Sequence, residues 1–394
     1  MEAQTDKLEL TERSNVDQRP TTMSTESPSK LEEQSEKLDT KINQPSGIKF
    51  ILTLVALYAA VFLVALDRTI LATAVPRITS HFHSLDDISW YASVYLITSC
   101  ATQPLWGRIY TFHSIKTVFI IAILVFEIGS VVCATAPSST AFIVGRAIAG
   151  LGSGGIFAGA TVILTFMIPL NKRPMYISIL GTMFGVASIL GPLLGGAFAD
   201  KVTWRWCFYI KCFIDLVSLP IGGAALAVVM LFLQVNDPKK ESGTFVQQIM
   251  RLDPIGQLFF LPSIVCLIVA LQWGGSTYTW SDHRVIALFV VFGVLMLAFV
   301  GVQIWKQDDA TLPPRIMKQR SLSLGAVFAF CLGGGLISML YTLAIWFQAV
   351  KGTNAVQSGI DSLATVLALV VGTIISGTVV EKTGYYVPWM IAAG

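Results

Sequence analysis

The chain has 394 residues, 54% hydrophobic and 13% charged, with a net charge of +3 and a mean hydropathy of +0.68. Soluble domains carry about a quarter charged residues, so an ordinary cytosolic enzyme is excluded. So small and dispersed a positive charge also excludes nucleic acid as a partner. Apolar runs longer than roughly 18 residues recur from Ile51 onward, which is the pattern of an all-α polytopic membrane protein.

Residues 1–49 are different in kind. They hold ten acidic and seven basic residues, many Ser and Thr, and no aromatic side chain before Phe50. Too little apolar surface is present to offset the entropy of ordering, so the stretch reads as a disordered tail. It lacks a signal-peptide pattern, which leaves the first span to serve as the insertion signal.

Apolar segments follow at about 50–74, 88–106, 117–136, 140–168, 176–199, 207–233, 254–273, 285–305, 322–349 and 358–378. Each is long enough to cross a hydrocarbon core of about 30 Å. That gives ten complete transmembrane helices, and a last apolar stretch from Tyr385 to Gly394 forms part of an eleventh. Lys and Arg are about twice as frequent in the loops on the tail's side as in the others, which places the tail in the cytoplasm.

The longest polar connection follows the sixth span. It divides the chain into a cytoplasmic tail (1–49), a six-helix bundle (50–233), a cytoplasmic linker (234–253), two additional central helices (254–305) and an incomplete C-terminal bundle (306–394). A weak repeat supports the division: GRIYTFHSIK from Gly107 and GTVVEKTGYY from Gly377 both read as a helix end opening a tight cytoplasmic turn.

Ionisable groups inside spans are costly and mark function by default. Asp67 on the first span, Glu127 on the third and Arg146 on the fourth lie at similar depths, roughly 9–14 Å from the outer ends at 1.5 Å per residue. Burial disfavours a charged carboxylate and a nearby arginine favours it, a balance that suits a reversible proton site. The alternative is a static salt bridge that fixes helix packing. Arg68 is expected to snorkel outward. On the second span Tyr91, Tyr95, Thr98 and Thr102 recur at helical spacing with Gln103 beside them, a face that lines a substrate path or bonds to a neighbouring helix.

Glycine supplies the next signal. GRAIAGLGSGG (Gly145–Gly155) has the spacing of a dinucleotide loop, but that fingerprint needs a βαβ unit and these residues sit within an apolar span. Close helix approach explains them better. The fifth span carries Gly181, Gly185, Gly191, Pro192, Gly195 and Gly196, which serve either a flexible gate or packing alone. The six cysteines lie in or beside apolar segments without metal or redox spacing, and the four histidines form no catalytic set, so neither a metal nor a cofactor is expected.

These motifs together resemble the fourteen-span drug:proton antiporter branch of the major facilitator superfamily, as found in fungal toxin and secondary-metabolite exporters. LDRTILATAVP (Leu66–Pro76) matches the branch's first-span motif with Asp67 at its acidic position. GRIYTFHSIK matches the gating loop, with Gly107, Arg108 and Lys116. GRAIAGLGSGG puts Arg146 at the proton-coupling arginine, and GPLLGG (Gly191–Gly196) matches the antiporter motif. WRWCFYI (Trp204–Ile210), ALQWGG (Ala270–Gly275) and WFQAVKGTNAVQSGI (Trp346–Ile360) are further family-like segments. Thr111 and Ser114 depart from the loop's usual Asp and Gly, which Glu381 and Gly384 retain in the second copy. Ala187 replaces the glycine that often opens the antiporter motif. KCFIDLVS (Lys211–Ser218) interrupts the family pattern, as an insertion or a retained intron.

The resemblance implies a non-enzymatic, monomeric efflux pump that works by alternating access. Its partners would be a small organic substrate, protons and the lipid bilayer, and its place the plasma membrane, with the vacuolar membrane as the other candidate. The competing reading is a truncated remnant without transport, in which the 394 residues insert but do not export. A sensor lacks an output domain here, and a membrane-embedded enzyme lacks a visible nucleophile or cofactor set.

Overall fold

The computed structural model describes residues 47–388, except 86, 210–251, 308–309, 353–356, 358–360 and 386. Most of the tail, nearly all of the sixth span and the linker, the 211–218 interruption and the end of the last apolar stretch lie outside the described residues. Nine long helices occur among those described: α1 (Ile48–Phe82), α2 (Ile88–Phe112), α3 (Ile115–Thr135), α4 (Ser139–Met167), α5 (Arg173–Lys201), α6 (Pro254–Trp273), α7 (His283–Lys306), α8 (Arg320–Ala349) and α9 (Leu363–Thr383). Seven of them contain stretches long and apolar enough to cross a membrane. The exceptions are α2, diluted by its Tyr, Ser and Thr stripe, and α8, whose fully described part, Arg320–Leu336, is shorter.

Helix α1 runs eight residues past its expected end at 74, through Pro76 and Arg77. A mid-helix proline removes one backbone bond, but packing here outweighs that loss. Ile70, Ala74 and Ile78 recur every fourth residue in a buried cluster, and Phe82 packs beside them on Phe142 and Trp204. Helix α2 likewise passes through Gly107. Beyond that glycine Tyr110 is buried and donates to the Gly155 carbonyl of α4 at 3.0 Å. Before it, Trp106 Nε1 donates to Leu151 O at 2.9 Å. Gly107 and Gly377 therefore lie inside helices rather than ending them. The turns come later, at His113–Ser114 and at Gly384, which caps α9 in the left-handed region (φ 72°) as glycine readily does. Ser114, with a Cβ, stays at negative φ in the first copy.

The helices pack in groups. Small residues seat α4 closely against α3 and α2, while α1 lies along α5 and meets α2 and α4 only sparingly. Helix α5 also packs on α9, and α6 pairs with α7. Arginines close loose ends: Arg205 donates to Ala134 O (2.7 Å) and Ala136 O (2.9 Å) past the end of α3, and Arg173 donates to Thr165 O and Ile168 O past the end of α4. Such bonds satisfy carbonyls that a helix leaves without partners.

A second polar cluster joins α6 to α7. Asp253, fully buried at the N-cap of α6, accepts from Gly256 N, Gln303 Nε2, Lys306 Nζ, and the Thr311 amide and hydroxyl at 2.8–3.1 Å. Burial pushes the Asp253 carboxyl up, but the bonds from Lys306, Gln303, Gly256 and Thr311 outweigh it and hold it at about 2. A carboxylate lowered on folding stabilises above its unfolded value, near 4, and loses that contribution as pH falls through its folded value. Asp253→Asn should thus lower the thermal midpoint of the purified protein at pH 7. The gap to wild type should narrow between about pH 4 and 2. Equal midpoints at pH 7 would show that the cluster does not hold α6 to α7.

Candidate functional site

The site starts with one residue on α1 and one on α4. Asp67 is 0% exposed and Arg146 1%, and the Arg146 guanidinium is ion-paired and hydrogen-bonded to the Asp67 carboxylate. The same guanidinium donates from Nε to the Tyr91 carbonyl of α2 at 3.0 Å and lies 4.3 Å from the Tyr95 ring centroid. Arg146 therefore holds α1 by an ion pair and α2 by a neutral hydrogen bond and a cation–π contact. Separating a buried pair is expensive because either charge left alone is desolvated, whereas adding a proton to the carboxylate removes one charge without separating anything.

Local structure fixes this geometry. Ser138 caps α4, accepting from the Ala141 amide, so Arg146 enters the bundle two turns in. Tyr91 is pinned by its hydroxyl, which bonds to Ser84 (2.7 Å) and to Ser139 (2.9 Å), and Ser139 in turn donates to Asp87. Phe142 meets Tyr91, Trp204 and Phe208 edge-on, and Phe82 meets Trp204 edge-on, closing that end of the site. Gly150 lets α4 approach α2 so closely that a Cβ there would fall on the Tyr95 carbonyl and the Thr98 hydroxyl. Gly152 does the same toward α3, where a Cβ would lie 2.7 Å from Phe126 Cα. Among the described residues no group of three or more His, Cys, Asp or Glu side chains is placed to hold a metal ion.

Over residues 57–394 the chain matches the family model described as Major Facilitator Superfamily. The chain belongs to the major facilitator superfamily. It is 54% identical over 344 residues to the rubrofusarin-specific efflux pump aurT of Gibberella zeae, covering 87% of this chain and 62% of that one. It is 49% identical to the MFS-type transporter VdtG of Byssochlamys spectabilis, covering 89% and 62%. The efflux pump aflT of Aspergillus parasiticus is 50% identical, covering 88% and 66%. The chain thus spans about three fifths of the length of these relatives. Among solved structures it resembles the proton:xylose symporter XylE, with a TM-score of 0.50 and 17% identity over 85% of this chain and 70% of that one, a likeness of fold.

The other residues expected to matter in this facilitator are distributed as follows. Glu127 is half-buried on α3 and is not among the partners of Arg146, so the structure pairs two of the three expected charges. Tyr91 and Tyr95 are fully buried and Thr102 nearly so, facing α4, and the Thr98 and Thr102 hydroxyls bond back to their own helix; only Gln103 is exposed. Interhelical packing accounts for most of that stripe. Gly191 and Gly195 abut Thr69, Thr73 and Ile70 of α1, where Thr69 donates to Ala187 O at 2.9 Å. Pro192 is half-buried, and a Cβ at Gly196 would meet nothing within 4 Å. Of the gating-loop residues, Gly107 is exposed with open space around it, and Arg108 and Lys116 are half-buried beside the α2–α3 turn.

Two features escaped the sequence reading. Arg68 does not snorkel outward: it is half-buried between α2 and α5, donating to Ser99 Oγ at 3.3 Å with Tyr95 and Phe184 rings beside it. One hydroxyl and two ring faces from neighbouring helices hold the guanidinium there. The Asp253 cluster was also missed, although an Asp directly before a proline that opens an apolar run is a helix-start signal.

Proposed function

We propose that this chain belongs to a pump that exports small organic molecules in exchange for protons, with Asp67 and Arg146 coupling the two. The observation that carries the reading is a buried ion pair bridging two helix groups that otherwise touch little. Protonation of Asp67 would release α1 from Arg146 while leaving the Tyr91 bond and the Tyr95 contact intact. Helices α1 and α5, locked together at Gly191 and Gly195, could then shift as a unit against α2–α4. Rocking of packed groups around a central site is how alternating access works. The two relatives named as efflux pumps support the direction of transport.

Arg108 and Lys116, with Gly107, would meet the moving helices at the cytoplasmic side, and Glu127 would modulate the site from α3. The protein would work as a monomer in the plasma membrane with its N-terminus in the cytoplasm. Comparing the metabolites of cells with and without the gene identifies the substrate. The functional test is uptake of that substrate into inside-out vesicles under an imposed pH gradient, wild type against Asp67→Asn. Wild type is expected to accumulate it and the variant not to; equal accumulation contradicts the assignment.

A further inference from the structure

Next to the paired Asp67 lies a second cation with no counter-ion. Among the described residues Arg68 makes no ion pair; its contacts are the Ser99 hydroxyl and the faces of Tyr95 and Phe184, at 5.4 and 5.9 Å from the ring centroids. Its Nε is buried without a hydrogen-bond partner. The hydroxyl of Tyr95, a fully buried side chain, has only the Ser153 hydroxyl beside it, whose oxygen can accept from it. Buried polar atoms are nearly always paired, and an unpaired donor on a guanidinium marks a place for an acceptor. The Asp67 carboxylate is already taken up by Arg146, and a half-buried cation without an ion pair is costly inside a membrane-spanning bundle.

We propose that Arg68, Ser99 and the Tyr95 hydroxyl bind an acidic oxygen of the transported molecule, so that the substrates are organic acids: carboxylates, enolates or phenolates on a largely apolar body. This rests on the exporter reading. Phe184 supplies an apolar wall from α5, the helix that contacts both α1 and α9. A guanidinium suits the task because it presents several donors in a plane and keeps its charge at any physiological pH.

The test compares two dyes of similar ring system and opposite charge, anionic fluorescein and cationic rhodamine 6G, by fluorescence anisotropy with the purified protein in lipid nanodiscs at pH 7.4. Wild type should bind fluorescein the tighter. Arg68→Gln should weaken fluorescein about tenfold or more, the size of one lost charge-assisted hydrogen bond, without weakening rhodamine 6G. Arg68→Lys should recover part of the loss. Tyr95→Phe should weaken fluorescein several-fold while keeping the ring that packs on Arg68 and Arg146, and it serves where Arg68→Gln fails to fold. Preference for rhodamine 6G in wild type, or unchanged fluorescein affinity in both Arg68→Gln and Tyr95→Phe, overturns the proposal. Binding selectivity is read without transport, so failure of pH-driven uptake would count against the exporter reading alone.

Discussion

Arg146→Ala should destabilise the protein by about 3–5 kcal/mol, because it strands the Asp67 carboxylate in a site from which water is excluded. The loss includes the Nε bond to Tyr91 O and the contact with the Tyr95 ring, so α4 loosens from both α1 and α2. Asp67→Asn should cost less, since the arginine keeps those two partners and gains a neutral amide in place of the carboxylate. The double variant Asp67→Asn/Arg146→Ala should be more stable than Arg146→Ala alone, which is the signature of two groups coupled in one site. Unfolding of the purified protein followed by circular dichroism in a denaturant series measures all four. Additive costs would mean that the two residues do not act as a pair.

The second large effect concerns backbone contact. At Gly152 a Cβ would lie 2.7 Å from Phe126 Cα and 2.8 Å from Ala122 O, both main-chain atoms of α3 that cannot rotate away. Forcing extra carbons into a packed interface typically costs 1–3 kcal/mol. Gly152→Leu, with four carbons against a backbone, should reach about 3 kcal/mol or more. It should also displace Arg146, which sits less than two turns away on the same helix. Gly107→Val provides the contrast. Nothing lies within 4 Å of its Cβ position and valine is a slightly better helix former than glycine, so its stability should stay level or rise by about 0.3 kcal/mol. Comparable losses in the two variants would remove close packing as the reason for the glycines of α4. Any effect of Gly107→Val on transport would then have to arise from contacts made in another conformation.

The spans were legible because lipid imposes a length and a composition that local sequence must satisfy. So was the pairing of Asp67 with Arg146: opposite charges embedded in apolar spans have few other partners. Helix ends were read less well. Pro76 and Gly107 both look like stops, and each is overridden by contacts from distant segments, Phe82 on Trp204 and Tyr110 on Gly155. The depth of Asp67 changed with them. Measured from Phe82 it lies roughly 22 Å from the end of α1, not 12 Å, while Arg146 lies about 10 Å from the start of α4, so α1 extends beyond that start. Arg68 was misjudged for a related reason. Periodicity gives the angle between Asp67 and Arg68 around a helix, but not which neighbours stand there, and Ser99, Tyr95 and Phe184 come from two other helices. The Tyr91–Thr102 stripe shows the same limit: its face was evident, and the α4 surface that buries it was not.

Asp67 stands at the centre of the account, and a protein reconstituted in vesicles can separate its two possible roles. Exchange of labelled for unlabelled substrate at equal pH needs the conformational cycle but no net proton movement. Uptake driven by a pH gradient needs both. Asp67→Asn should retain exchange and lose gradient-driven uptake, because an amide keeps Arg146 in place but cannot take up and release a proton. Wild-type uptake under the gradient in Asp67→Asn would contradict proton coupling at this residue, and the buried pair would then be a static brace between α1 and α4.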